Sequence, residues 1–278
     1  PMTALYRNFL TREELDAAYD NTNAVSDSAQ ILAGFEERSR LLAERCPEEL
    51  DLRFGPRERQ RIDFFRADAP GAPLMVFIHG GYWQMRRKET FRFLAAGALH
   101  HGISVALPGY TLAPEQNLAG IIREIQDSLR WLRENADALG FDRTRIVVAG
   151  WSAGGHLATM MADEPGVTGI LAISGIFDLE PIRLCYLNDK LQLKSEDVAS
   201  RSPLRLPLSG KPLFTVCGSD ELPELQRQSW DFARHRAAAK LPGGAFTLAG
   251  CNHFTILEEL ETPGGVITTL LRMLLPSP

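Results

Sequence analysis

Two apolar runs, Met75-Val76-Phe77-Ile78 and Ile146-Val147-Val148-Ala149, constrain the fold of this chain most, because each ends abruptly in a glycine-bounded segment. The first runs into His79-Gly80-Gly81-Tyr82-Trp83 and the second into Gly150-Trp151-Ser152-Ala153-Gly154. Apolar runs without polar alternation are the mark of strands covered on both faces. Such strands belong to a mostly parallel sheet with helices on either side, and in such sheets the loops at the carboxyl ends carry the chemistry.

The rest of the chain keeps the same alternation. Strands are expected at Arg61–Phe65, Leu74–Ile78, Ser104–Ala106, Arg145–Ala149, Gly169–Ile173, Pro212–Cys217 and Ala245–Leu248. Helices are expected over Arg87–His101, Glu115–Ala138, Ala153–Ala162 and Glu224–Ala239, with a terminal stretch from Phe254 towards Leu275 that Pro263, Gly264 and Gly265 divide. Residues 1–58 read as a helical extension, with helices near Thr11–Tyr19 and Ser26–Arg45. The irregular, proline-punctuated stretch 178–208 reads as a small cap-like insertion in a single domain spanning 1–278.

Composition narrows the function classes. A net charge of −5 offers no basic footprint for nucleic acid, and no apolar stretch is long enough to span a membrane. The four cysteines have neither metal-type nor CxxC spacing, which favours a reducing compartment; with no leader-like start, a cytoplasmic protein is expected. No cluster has metal-ligand spacing and no glycine-rich phosphate cradle occurs, so neither metal nor cofactor is expected. Pro1, which stands before Met2, is set aside.

Gly150-x-Ser152-x-Gly154 has the form of a nucleophile elbow, a tight strand-to-helix turn that holds a serine hydroxyl above the sheet. Acyl transfer by that serine needs a base, an acid to orient the base and donors for the oxyanion. Of six histidines, His253 is the expected base, since it follows the strand Ala245–Leu248 and the order Ser, acid, His excludes those before Ser152. His156 sits four residues past the serine and reads as packing, and His235 as surface. The acid is expected after the preceding strand, where Asp220 is preferred for its shorter side chain and Glu221 competes. Backbone amides of Ala153 and of Gly81 or Tyr82 are the expected oxyanion donors. Tyr82 and Trp83 offer an aromatic wall or simple core packing. The run Arg86-Arg87-Lys88 reads as an attractor for an acidic substrate or, more simply, as a solvated helix start.

At these residues the chain resembles the arylformamidase, or kynurenine formamidase, family of α/β-hydrolases. His79-Gly-Gly-Tyr-Trp83 resembles that family's HGGxW signature, and Ser152-Ala-Gly-Gly-His156-Leu157 its nucleophile segment. Ser174-Gly-Ile-Phe-Asp-Leu-Glu-Pro-Ile182, Pro223-Glu-Leu-Gln-Arg-Gln-Ser-Trp230 and Asn252-His-Phe-Thr-Ile-Leu-Glu-Glu259 are similar to family segments in the same order. Many members have Asp where this chain has Asn252, and many have His or another residue in place of Trp151.

The resemblance implies an α/β-hydrolase fold, Asp220 and His253 as the triad partners of Ser152, no cofactor, and hydrolysis of N-formyl-L-kynurenine to formate and L-kynurenine. It implies a small aromatic amide or ester as substrate, with Tyr82, Trp83, Tyr186 and Asn188 as candidate contacts; the sequence is compatible with a homodimer. The alternatives are a carboxylesterase for small aryl or short-acyl esters and a non-catalytic ligand-binding relative.

Overall fold

In a computed structural model of the chain, which describes residues 3–46 and 49–278, eight strands form one sheet. Pro1 lies outside the described residues. In chain order the strands are β1 (Leu52–Arg53), β2 (Arg61–Phe65), β3 (Ala72–Ile78), β4 (Ser104–Pro108), β5 (Phe141–Trp151), β6 (Val167–Ile173), β7 (Leu213–Gly218) and β8 (Gly243–Leu248). Their spatial order is β1-β2-β4-β3-β5-β6-β7-β8, antiparallel at β1–β2 and β2–β4 and parallel from there on. All seven expected strands are present. The two-residue β1 escapes sequence reading because nothing so short has a period.

The apolar runs are central for the reason their composition implies. Val76, Ile78 and Val148 join the core on one face of the sheet, while Met75, Phe77, Val147 and Ala149 join the core on the other. Alternate side chains thus enter opposite layers, and neither face tolerates a polar residue.

Between β3 and β4 the expected helix is a 3-10 segment, Lys88–Leu94, followed by a short α-helix, Ala95–His100. Lys88, Phe91 and Leu94 are all buried at every third position, which the threefold 3-10 repeat places in one line. Lys88 is the surprise in that line. Its ammonium sits among Asp51, Asp63 and Glu89 at 2.6, 3.0 and 3.0 Å, and Arg92 forks onto the same Asp63 at 2.7 and 3.1 Å. The run Arg86-Arg87-Lys88 is therefore no uniform solvated start: Arg87 is exposed and pairs with Glu36, Lys88 is buried, and Arg86 goes elsewhere.

The amino-terminal segment folds as Arg12–Ala18, an additional turn at Asn21–Ala24, and Ser28–Arg45. It is tied to helix Pro223–Ala238 through polar contacts. The Tyr19 hydroxyl donates to Glu224 at 3.1 Å and accepts from Gln228 at 3.1 Å, and Arg227 donates to the Tyr6 hydroxyl at 3.1 Å. Stretch 178–208 forms three short α-helices, Glu180–Leu184, Asn188–Leu191 and Ser195–Arg201, whose Ile182, Leu191 and Val198 enter the core, and a 3-10 turn at Pro203–Arg205.

Asp63 is wholly buried and serves both cations, so removing it takes one of the three carboxylates from buried Lys88 and the bidentate partner from Arg92. Asp63→Ala is expected to cost about 3–5 kcal/mol in urea unfolding, whereas Arg87→Ala, at an exposed pair, costs about 0.5 kcal/mol or less.

Candidate active site

Ser152 follows the last residue of β5 with φ 58° and ψ −119°, a backbone conformation that a serine adopts only under constraint. The constraint is crowding. A Cβ at Gly150 would fall on the carbonyl of Gly154, and one at Gly154 on the carbonyl of Ile78 at the end of β3. The Ser152 amide is spent on the Ile173 carbonyl of β6 at 2.8 Å. The elbow is thus fixed to both neighbouring strands.

The loop after β3 reaches the serine just as closely. A Cβ at Gly80 would lie 2.6 Å from the Trp151 carbonyl oxygen and 2.9 Å from Ser152 Cβ, so only hydrogen fits. Beyond it Gly81 (φ 115°), Tyr82 (φ 49°) and Trp83 (φ 60°) all lie in the left-handed region, at a cost of about 1–3 kcal/mol for each non-glycine residue. Side-chain anchors hold the strain. The Tyr82 hydroxyl donates to the Tyr19 carbonyl at 2.6 Å, and Trp83 Nε1 donates to His156 Nδ1 at 3.3 Å. The amides of Gly81, Tyr82 and Ala153 have no acceptor among the described residues.

Two histidines brace this scaffold. His79 stacks on Tyr110 with ring centroids 4.4 Å apart, and burial pushes its imidazolium down to about 3; the neutral ring donates from Nδ1 to the Gly80 carbonyl. His156 is buried too and is pushed down to about 4 by loss of water. Its Nδ1 accepts from Trp83 and its Nε2 donates to the Arg201 carbonyl at 2.8 Å, so its expected packing role holds. His235 is exposed, as expected.

His253 follows β8 and is buried beside Trp151, with ring centroids 4.9 Å apart. Its Nδ1 meets Glu221 Oε1 at 2.6 Å. The preferred acid is therefore corrected: Asp220 is exposed, its carboxylate accepting from Ser219 at 3.3 Å, while Glu221 turns inward. The reason lies in the turn after β7. The Asp220 amide donates to the Cys251 carbonyl, which places its side chain outward, and the extra methylene of Glu221 covers the remaining distance. Glu221 Oε2 accepts from the Ser174 hydroxyl at 2.7 Å and the Gly218 amide at 2.6 Å, so the carboxylate cannot swing.

Trp151 and Asn252, the two departures from the resemblance, have structural work. Trp151 Nε1 donates to the His253 carbonyl at 2.8 Å and so pins the base's backbone. Asn252 Oδ1 accepts from the amides of Phe254 and Thr255, both at 2.8 Å. An aspartate would make the same cap.

Ser152 and His253 face one cavity of about 20 Å³, bounded also by Asn21, Thr22, Gly81, Tyr82, Met85, Arg86, Trp151 and Phe254. Tyr82 is there as expected, though its hydroxyl is committed. The other expected contacts lie elsewhere: Trp83 is in the core, the Asn188 side chain closes its own loop onto Leu193, and neither Tyr186 nor any residue of 178–208 bounds the cavity. Sequence reading does not find Asn21 and Thr22, because polar residues in a short helical turn carry no periodic signal, or Met85 and Phe254, which sit in loops. Among the described residues no group of His, Cys, Asp and Glu could hold a metal ion, and no helix is long and apolar enough to cross a membrane.

Comparison with known proteins agrees with this geometry. The BD-FAE family model matches residues 64–178. The kynurenine formamidase of Danio rerio is 27% identical over 238 residues, covering 80% of each chain, and that of Salmo salar is 29% identical over 254 residues, covering 84% of this chain and 83% of its own. A Silicibacter crystal structure described as a thioesterase superposes with a TM-score of 0.85 at 25% identity, over 93% of this chain and 99% of that one.

Glu221→Gln is expected to lower kcat by about 10³-fold or more, as loss of a base-orienting carboxylate does, while Asp220→Asn stays within about twofold. Steady-state kinetics on any turned-over ester separates the two. The buried histidines make stability pH-dependent. Above pH 6.5 His156 is neutral folded or unfolded; below it the unfolded chain gains a proton that the folded site refuses until about 4. Stability should fall over that window by about 3 kcal/mol from His156 alone, and urea unfolding of His156→Gln should show a shallower loss.

Proposed function

Since the chain is an arylformamidase-like α/β-hydrolase, we propose that it hydrolyses N-formyl-L-kynurenine, or a related N-formyl arylamine, to formate and the free arylamine. The observation that carries this substrate class is the size of the chamber at Ser152. A cavity of about 20 Å³ beside Ser152 favours a small acyl group such as formyl over a long chain. The relatedness to the two fish enzymes supports the same choice.

In the proposed reaction Ser152 Oγ adds to the formyl carbon while His253 Nε2 accepts the hydroxyl proton. Glu221, on Nδ1, sets the tautomer and stabilises the imidazolium. The oxyanion forms among the amides of Ala153, Gly81 and Tyr82, already oriented and bound to nothing else. When the tetrahedral adduct collapses, His253 returns its proton to the departing arylamine nitrogen. Water, deprotonated by His253, then attacks the formyl ester of Ser152 and releases formate.

An arylamine departs more readily than an alkylamine because its lone pair is delocalised into the ring, so a serine triad suffices for this amide. The four cysteines are all free thiols, which supports placing the reaction in the reducing cytoplasm.

The test is kcat/KM for N-formyl-L-kynurenine beside that for 4-nitrophenyl acetate, in the wild type and in Ser152→Ala. A serine-dependent formamide value well above the ester value is expected. Ester turnover with negligible formamide hydrolysis would replace the proposal with a small-ester esterase.

A further inference from the structure

Two side chains around the cavity have bonding capacity that the protein leaves unused. Asn21 is 5% exposed, and its Oδ1 is buried with no donor. The amide orientation follows from its neighbour. The Tyr82 hydroxyl gives its one proton to the Tyr19 carbonyl, so towards Asn21 it can only accept, which assigns Nδ2 to the 2.8 Å contact and leaves Oδ1 over.

Arg86 is the second. It is half-buried, and no carboxylate lies within ion-pairing distance of it among the described residues, although Lys88 nearby gathers three. Its guanidinium lies 3.4 Å from Thr22 Oγ1, on the residue next to Asn21, and 5.7 Å from the centre of the Phe254 ring. Burial lowers the guanidinium from its ordinary value, yet arginine stays charged in proteins. A half-buried cation without a counter-ion is costly to keep unless an anion arrives.

The two demands are complementary. Arg86 needs an acceptor of negative charge, best met by the two oxygens of a carboxylate, and Asn21 Oδ1 needs an N–H donor. Both residues bound the same cavity as Ser152, and a formyl group carries neither an anion nor an N–H donor, so both groups must belong to the leaving group.

We propose that Arg86 and Asn21 form a head-group subsite for a free α-amino acid carried on the leaving group, with Arg86 on its carboxylate and Asn21 on its ammonium. The subsite rests on the proposed reaction only in placing the acyl carbon at Ser152. It makes Arg86 a specificity residue and gives the amino-terminal segment a direct part in substrate choice.

Direct binding measures this without turnover. Isothermal calorimetry on the wild-type protein compares L-kynurenine with kynurenamine, the same molecule without its carboxylate. The acid is expected to bind about tenfold or more tightly, the worth of one charge-assisted contact. Arg86→Met should bring the two affinities together, Arg86→Lys should keep part of the difference, and Arg87→Met should keep all of it. Asn21→Ala should weaken both ligands alike, since both carry the ammonium. Equal binding of acid and amine by the wild type, no binding of the acid, or a difference that survives Arg86→Met overturns the subsite. If Arg86→Met does not fold, the wild-type pair and Arg86→Lys still decide. Failure of the formamidase proposal shows separately, as absent formamide hydrolysis whatever these ratios are.

Discussion

The close approach of helix Ala153–Thr159 to the end of β3 is the contact on which the rest of the site depends. Gly154 presses on the Ile78 carbonyl and Gly80 on the Trp151 carbonyl, so two loops from adjacent strands meet without side chains between them. That meeting forces Ser152 into its strained turn and leaves the amides of Gly81, Tyr82 and Ala153, on the two loops, without an acceptor among the described residues. The energy that holds it comes from the two apolar layers, in which β3 and β5 bury every side chain of their central runs. A strained nucleophile is affordable only on such a base.

The histidine and its acid are supported in a different manner. Strands β7 and β8 deliver Glu221 and His253, yet the atoms that fix them belong to other elements: Ser174 after β6, Gly218, and Trp151 on β5. Every loop that touches the reacting centre is braced by a neighbouring loop. The arrangement of Ser152, His253 and Glu221 proposed as a triad is consequently a property of the whole carboxyl edge of the sheet, and it follows the order β3-β5-β6-β7-β8.

How much was legible follows from this. The sheet, the tight turn at Ser152, and the places of His253 after β8 and of the glycine loop after β3 could be read because glycine spacing and apolar runs encode them locally. The choice between Asp220 and Glu221 could not, since it turns on the hydrogen bond from the Asp220 amide to the carbonyl of Cys251, far along the chain. Asn21 and Arg86 were illegible as a pair for the same reason. Nothing in either segment announces the other, and only the docking of the amino-terminal segment brings Thr22 beside the guanidinium. The fate of Lys88 likewise depended on Asp63, a strand residue whose burial no charge pattern reveals.

The Tyr82 hydroxyl, shared between the Tyr19 carbonyl and Asn21, joins the beginning of the chain to the loop around the nucleophile. Tyr19 in turn is held by Glu224 and Gln228. During synthesis this segment leaves the ribosome about two hundred residues before Glu224 and Gln228, the side chains that seat it. A nascent chain can therefore assemble its central strands and elbow well before it has a competent site. A chain that stops short of helix Pro223–Ala238, however well packed its central strands, lacks the seat of this segment and with it the clamp on the loop.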